Sequence, residues 1–559
     1  MIVRRLPLLL LLCLSQPLAA GEFDLQAPDE ITGLLAPYLP DEVGSPGKLQ
    51  GLLSEILATE GYFSPVFEFA EQGDGLKLTL DPGRRTTIHS LDLRIDGPVE
   101  AGARQELIDG WALPVGQPFR QDDWNTAKQQ ILSRLLAVEH ADARLLDSEA
   151  SIDTAAHRAD LRAHYEAGPR YRFGPLRVEG LQNYSPDLIA RYNRIVQPGQ
   201  PYREDKLNAL QTTLQSTPYF ASVQTLLDRE AAEMDADGNA TAPVLVRVRE
   251  RSPHRVSFGA GASSNTGARV EFNYHTPNLF GQAWELDTGL RLEQKRQTAY
   301  ADVFLPPDER NRRHSVGVMA EATDIQNLKT ERYAFGAQTI QQRGSVEQRL
   351  SLNWQNEQRE PDGASPVTSR ALVPNGMWTW RHVDSLIEPR NGTVLQGQIG
   401  GGSKAALSDQ NFVRFHARFQ HFIPLGRVDT LTLRGEIGYT LADSRQRIPQ
   451  DYLFRTGGAG SVRGYAYQSL GIKEGNATVG GRYLGIASAE LTHWLDEDWG
   501  FAAFIDAGDA VDSLQDIRLA IGYGLGARWR SPAGPIGVDL AYGERTRQVQ
   551  LHFSLAIPF

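Results

Sequence analysis

Sixteen alternating runs occupy the last 307 residues of this chain, residues 253–559. They begin near residues 254, 269, 284, 299, 314, 333, 348, 377, 394, 412, 429, 479, 500, 517, 536 and 549. A period of two marks a strand whose two faces meet different surroundings. In one run Phe412, Arg414, His416, Arg418 and Gln420 share a face, and Val413, Phe415, Ala417 and Phe419 share the other. A charged face behind an apolar one suits a wet lumen and a lipid exterior. The spacing, about nineteen residues per strand and connection, suits tilted spanning strands of ~10 residues. Beyond residue 20 no apolar run approaches the ~18 residues that a membrane-crossing helix needs. A soluble sandwich would also alternate, but this number of strands in an exported chain favours an antiparallel transmembrane barrel over 253–559. The last run, with Leu551, Phe553, Leu555, Ile557 and Phe559 alternating to the end, points the same way.

Export is read from the N-terminus. Arg4 and Arg5 precede the apolar run Leu6–Leu14, and Ala19, Ala20 and Gly21 are small. That is the layout of a secretory signal peptide, expected over residues 1–21. Leu12, directly before Cys13, is too large for a lipidation signal. Cys13 is the single cysteine, so its removal leaves no disulfide framework and no cysteine-based zinc site. A net charge of −11 argues against a nucleic-acid binder with a broad basic face.

The first half contains a repeat. Gly116-Gln-Pro-Phe-Arg-Gln-Asp122 matches Gly199-Gln-Pro-Tyr-Arg-Glu-Asp205 at an offset of 83, and Arg94-Ile-Asp-Gly97 matches Arg177-Val-Glu-Gly180 at the same offset. In the second copy Tyr171–Glu179 alternates as a strand. Ser185 and Pro186 supply the N-cap and first position of a helix through Ile195. A second helix is expected over Arg203–Gln215, then a hairpin of Val223–Leu227 with Val244–Val248. The order is β-α-α-β-β, two helices covering one face of a small sheet. A divergent copy precedes these, with helical spacing in Leu49–Leu57 and a hairpin of Val66–Phe69 with Leu76–Leu80. Three α+β modules are therefore expected, at 22–84, 85–167 and 168–252.

One barrel connection is too long for a turn. Residues 443–478 separate two expected strands and contain Phe454-Arg-Thr-Gly-Gly-Ala-Gly-Ser-Val-Arg-Gly-Tyr465. Loops of that length are usually functional, and Arg463 offers a permanent charge with five donors. In the thirteenth run, alternation puts Phe504 and Asp506 on one face and Phe501, Ala503 and Ile505 on the other. An aspartate is costly toward lipid, so its face is expected to be the lumen.

These residues carry a resemblance. Val462-Arg463-Gly464-Tyr465, between the eleventh and twelfth strands, is similar to the lid motif of the Omp85 superfamily. Phe504-Ile-Asp-Ala-Gly508 resembles its strand motif, and the three modules resemble its POTRA domains. The resemblance implies that Arg463 docks on Asp506; Glu490, on the lumenal parity of the preceding strand, is expected as a secondary partner. Separately, the last strand with its terminal aromatic residue resembles the C-terminal strand signal of bacterial outer-membrane proteins, expected at Phe553, Leu555, Ile557 and Phe559. Three modules, sixteen strands and Gly168-Pro-Arg-Tyr-Arg-Phe-Gly174 most resemble the TamA branch. That branch implies a factor for insertion and translocation of autotransporters and other outer-membrane proteins. Its expected partners are an inner-membrane-anchored TamB-like protein at the modules, unfolded client proteins and outer-membrane lipid. The first strand would close on the last, which ends at Pro558, a residue unable to donate to the ladder; a weak seam of this kind could act as a lateral gate.

Two other functions stay open: a two-partner secretion pore for one exoprotein, and an outer-membrane barrel hydrolase. No catalytic constellation supports the hydrolase. Ala459-Gly-Ser-Val-Arg463 is no nucleophile elbow, and the glycine-rich loop lacks the Lys-Ser/Thr ending of a phosphate loop. No cofactor or metal is expected. Asp235-Ala-Asp-Gly-Asn239 only faintly suggests calcium, with Val246 where a bidentate Glu belongs.

Overall fold

A computed structural model describes residues 23–39, 46–72, 75–531 and 534–555. The expected signal peptide (1–21) and Ile557, Pro558 and Phe559 lie outside the described residues. The chain divides into two compact units. One holds residues up to 179 with 195–212 and 224–247; the other holds 180–194, 213–223 and 248–559.

The modules share one topology. In the first, β1 (Phe23–Gln26), α1 (Asp29–Leu35), α2 (Pro46–Thr59), β2 (Val66–Gln72) and β3 (Gly75–Asp81) form a sheet ordered β1-β3-β2, with β1 parallel to β3. The second has β4 (Thr87–Asp96), α3 (Ala101–Asp109), α4 (Gln121–Ala137), β5 (Arg144–Asp153) and β6 (Arg158–Glu166), ordered β4-β6-β5. The third has β7 (Tyr171–Glu179), α5 (Pro186–Tyr192), α6 (Glu204–Gln215), β8 (Phe220–Leu227), a short β9 (Glu233–Met234) and β10 (Ala240–Glu250). Its order is β7-β10-β8. A parallel first and last strand requires a long crossover, and the two helices supply it.

Helical spacing builds each core. Leu49, Leu53 and Leu57 of α2 form one buried stripe against Leu78 and Leu80 of β3, joined by Ile31 and Leu35. Trp124, Ala127, Ile131 and Leu135 of α4 do the same over Ala159, Leu161, Ala163 and Tyr165. Within the first module, expected over 22–84, the sequence names no element before Leu49, so β1 and α1 were missed. At four and seven residues they are too short to display a period. The α5 helix ends at Tyr192, short of the expected Ile195.

The second unit is a sixteen-stranded antiparallel sheet in which every strand pairs with the next in sequence. Outward side chains such as Val318, Leu352, Phe415, Leu525 and Leu551 are exposed, as lipid-facing residues must be. The eighth strand, Val367–Val383, starts ten residues before its expected position. Pro374 lies inside this strand, but the ladder with the ninth strand (Gly392–Gly402) ends at Asn375↔Gly400, so Pro374 owes that neighbour no hydrogen bond. The twelfth strand begins at Tyr483 rather than near 479; Ala477–Val479 instead pairs with Ile472–Glu474 as a hairpin within the long connection.

Among the described residues no ladder joins the first strand (Arg255–Ser263) to the sixteenth (Gln548–Leu555). Ser264 spans that seam, its hydroxyl accepting from Phe553 N at 3.2 Å. The connection between the eleventh (Asp429–Leu441) and twelfth (Tyr483–Trp494) strands folds into the barrel. Ile448, Phe454, Val462, Tyr465 and Val479 bury there against lumenal side chains.

Candidate functional site

The thirteenth strand, Trp499–Val511, keeps Phe501 and Ile505 exposed while Phe504 and Asp506 are buried. Above that buried face lies the loop residue Arg463. Its Nε donates to Asp506 Oδ2 at 2.7 Å and its Nη2 to Oδ1 at 2.9 Å, the two-pronged geometry that a guanidinium and a carboxylate share. Its backbone N–H adds a bond of 3.1 Å to the same carboxylate, and Ser488 Oγ donates at 2.6 Å. Arg463 Nη1 turns to Glu490, at 2.5 Å, and to Asp539, at 3.2 Å. Its guanidinium lies 3.3 Å from the centre of the Phe504 ring, a cation–π arrangement.

Two more arginines complete the cluster. Arg528 bonds Glu490 at 2.8 Å and Asp539 at 2.5 Å. Arg434 donates to Ser488 Oγ at 2.9 Å and stands 3.7 Å from Asp506. Three cations therefore face three carboxylates. Burying charge is costly unless it is paired and its hydrogen bonds are met, and this set meets both conditions.

Glycines let the loop backbone lie against the wall. A Cβ on Gly522, in the fourteenth strand (Ala520–Ser531), would stand 1.8 Å from Arg463 O. One on Gly543, closing the fifteenth (Gly534–Gly543), would stand 2.3 Å from Gly464 O. Gly464 itself has φ +89°, the left-handed region that favours glycine. Its N–H donates to His552 Nε2 at 2.9 Å, so that nitrogen carries no proton and the imidazole is neutral. Tyr465 donates its hydroxyl to Ile521 O at 2.9 Å and accepts from Arg545 N at 3.0 Å. Val462 is fully buried beside Ala520.

The structure thus brings Val462, Arg463, Gly464, Tyr465, Asp506 and Glu490 into one cluster. Asp539, Arg528, Arg434, Ser488 and His552 were not read from the sequence. Asp539 and His552 are cross-strand neighbours on the lumenal parity, so alternation alone could have placed both inside the barrel. It carries no information about which lumenal residue meets which. Phe553 sits on the opposite face of its strand and is exposed. Asp235 spends Oδ1 on the N–H groups of Asp237 and Asn239, closing its own turn.

The family follows from a match of residues 252–559 to the Omp85 superfamily domain. The chain belongs to the Omp85 superfamily. It is 25% identical over 388 residues to the outer membrane protein assembly factor BamA of Nitratidesulfovibrio vulgaris, covering 66% of this chain and 47% of that protein. It is 23% identical over 545 residues to BamA of Neisseria meningitidis serogroup B, covering 84% of this chain and 66% of the relative. The chain spans about half to two thirds of the length of these curated relatives. The crystal structure of Haemophilus ducreyi BamA lacking POTRA domains 1–3 shares the fold, with a TM-score of 0.71 at 17% identity, over 84% of this chain and 98% of that one. As an Omp85 protein with this barrel, the chain resides in the outer membrane of a Gram-negative bacterium, its modules in the periplasm.

Proposed function

We propose that this Omp85 protein inserts and translocates other outer-membrane proteins without covalent chemistry, as a TamA-like factor serving autotransporters and related clients. The observation that carries the reading is a lid held inside the barrel by the Arg463–Asp506 pair, beside a seam that no ladder closes among the described residues. A wall that opens there offers unpaired strand edges to a client's strands. The modules, taken as 22–84, 85–167 and 168–252, add further edges. In the first sheet β2 is an edge strand of seven residues, a place for another strand to add. The expected partner at that edge is an inner-membrane-anchored protein of the TamB kind. The two curated relatives described above are both named as assembly factors, which supports a non-enzymatic role.

The test is reconstitution. The purified full chain in liposomes, given a urea-unfolded autotransporter β-domain, should raise the yield of protease-protected, heat-modifiable client above that of empty liposomes. Equal yields would remove the insertion reading. Passage of a soluble exoprotein into the vesicle lumen, with no gain in inserted client, would favour a secretion pore.

A further inference from the structure

The long connection is fastened to the barrel at a second place, far around the wall from Arg463. Its hairpin, Ile472–Glu474 with Ala477–Val479, and its entry segment 445–451 reach the sixth (Leu328–Arg343) and seventh (Val346–Pro361) strands. Arg359 Nη1 donates to Glu474 Oε2 at 3.1 Å and its Nη2 to Gln446 Oε1 at 2.9 Å. Arg445, within the connection, shares Glu474 at 3.4 Å. Glu357 accepts the backbone N–H of Gln450 at 2.9 Å. Arg332, the cross-strand neighbour of Glu357, pairs with Asp451 and also with Glu321 at 2.9 Å. Arg332, Glu357 and Arg359 are all buried, unusual for charged residues in a water-accessible barrel.

Backbone and apolar contacts accompany these pairs. Asn476 N donates to Asp362 O at 2.8 Å, and Thr478 N to Gln326 O at 3.1 Å. Ala477 and Val479 pack on Leu328. No residue of this set belongs to the Arg463 cluster, which uses the eleventh to sixteenth strands.

We infer that the lid is held by two independent anchors, and that Arg332, Glu357 and Arg359 are positioning residues that keep its body in the barrel when Arg463 lets go. The inference rests on the lid reading above and concerns how the lid is released. A tether at one end swings free once cut. A body held at two ends leaves only when both have failed: either anchor alone keeps the open population below the resting leak of the barrel, so only the loss of both shows in the conductance. Replacing Glu474 by glutamine keeps the shape but leaves Arg359 and Arg445 facing a neutral amide, and a buried charge without its partner is strongly unfavourable.

The experiment needs neither client nor partner, so its failure and that of the insertion reading are separable. The full chain is purified as parent, Arg463→Ala, Asp451→Asn/Glu474→Gln, and the combination, each checked for a heat-modifiable barrel. Conductance is measured in planar bilayers. Spin labels at Lys473→Cys and Ser365→Cys, both exposed positions, report the hairpin's distance from the wall. Arg463→Ala should stay within about twofold of the parent conductance and keep a narrow label distance. The lid-side pair should also stay within about twofold but broaden that distance. Combining them should raise conductance at least about tenfold. A tenfold rise from Arg463→Ala alone, or no rise from the combination, overturns the second anchor. Should the triple variant fail to fold, Arg463→Ala with Glu474→Gln alone gives the same decision.

Discussion

At the scale of the residue, Arg463 is the hub of a neutral cluster. Removing it leaves Asp506, Glu490 and Asp539 with only Arg434 and Arg528 to balance them. Breaking a buried pair costs roughly 3–5 kcal/mol, and less in a partly solvated lumen. Arg463→Ala or Asp506→Ala should therefore impair client insertion while the barrel still assembles. A double-mutant cycle on insertion activity should give a coupling of at least about 1 kcal/mol, and simple additivity would mean that the two residues do not act as a pair. Arg463→Lys should restore only part of the activity, because an ammonium lacks the planar fork. Gly522→Ala tests the same docking without touching charge. Its methyl would collide with Arg463 O, so the variant should match Arg463→Ala in insertion assays and retain heat-modifiable migration. Normal activity in Gly522→Ala would show that the tip need not lie flat on the wall.

At the scale of the element, the end of β10 is held by one carboxylate. Glu250 accepts the N–H groups of Gln182 at 2.8 Å, Asn183 at 2.9 Å and Tyr184 at 3.3 Å, and the Asn183 side chain at 2.7 Å. Burial alone would lift its pKa, but these donors outweigh it and hold the carboxyl below its usual range. A lowered folded pKa stabilises fully above the unfolded value of about 4.3, and the contribution fades as pH falls through the folded value. Amide protection at 182–184 should thus fall on acidification below about pH 4.3. In Glu250→Gln it should be lower at neutral pH and flat across that range. Hydrogen exchange at matched intrinsic rates reads both, and an unaltered pH profile in Glu250→Gln would assign the effect to another group.

At the scale of the whole molecule, the two halves should answer differently to protease and to deletion. Digestion of sealed outer membranes from the periplasmic side should remove residues up to about 252 and leave a heat-modifiable fragment, since lipid shields closed ladders. Complete digestion of the C-terminal half would contradict the barrel's place in the membrane. Deleting residues 22–84 should abolish co-purification of an inner-membrane-anchored partner while the barrel still inserts. Unchanged co-purification would move the dock to another module.

The strand count and fold class were legible in the sequence because alternation is local: whether a residue faces lumen or lipid is repeated at i and i+2 along one strand. The module repeat was legible for a similar reason, as each core helix displays its own stripe. Elements of only about two periods, β1 and α1, are too brief to show a repeat and left no trace. Motif resemblance pointed Arg463 toward Asp506, but the sequence held no sign that Asp539, Arg528, Arg434 and His552 join them, nor that Gly522 and Gly543 clear a path for the lid. Arg359 and Glu474 are 115 residues apart. Their meeting depends on barrel curvature and on where a forty-residue connection folds, and neither is encoded in any short run of side chains. Each strand's sequence by itself determined which face is wet; only the closed tertiary structure decided which wet faces meet, because lumenal contacts cross the barrel between segments with no local relation.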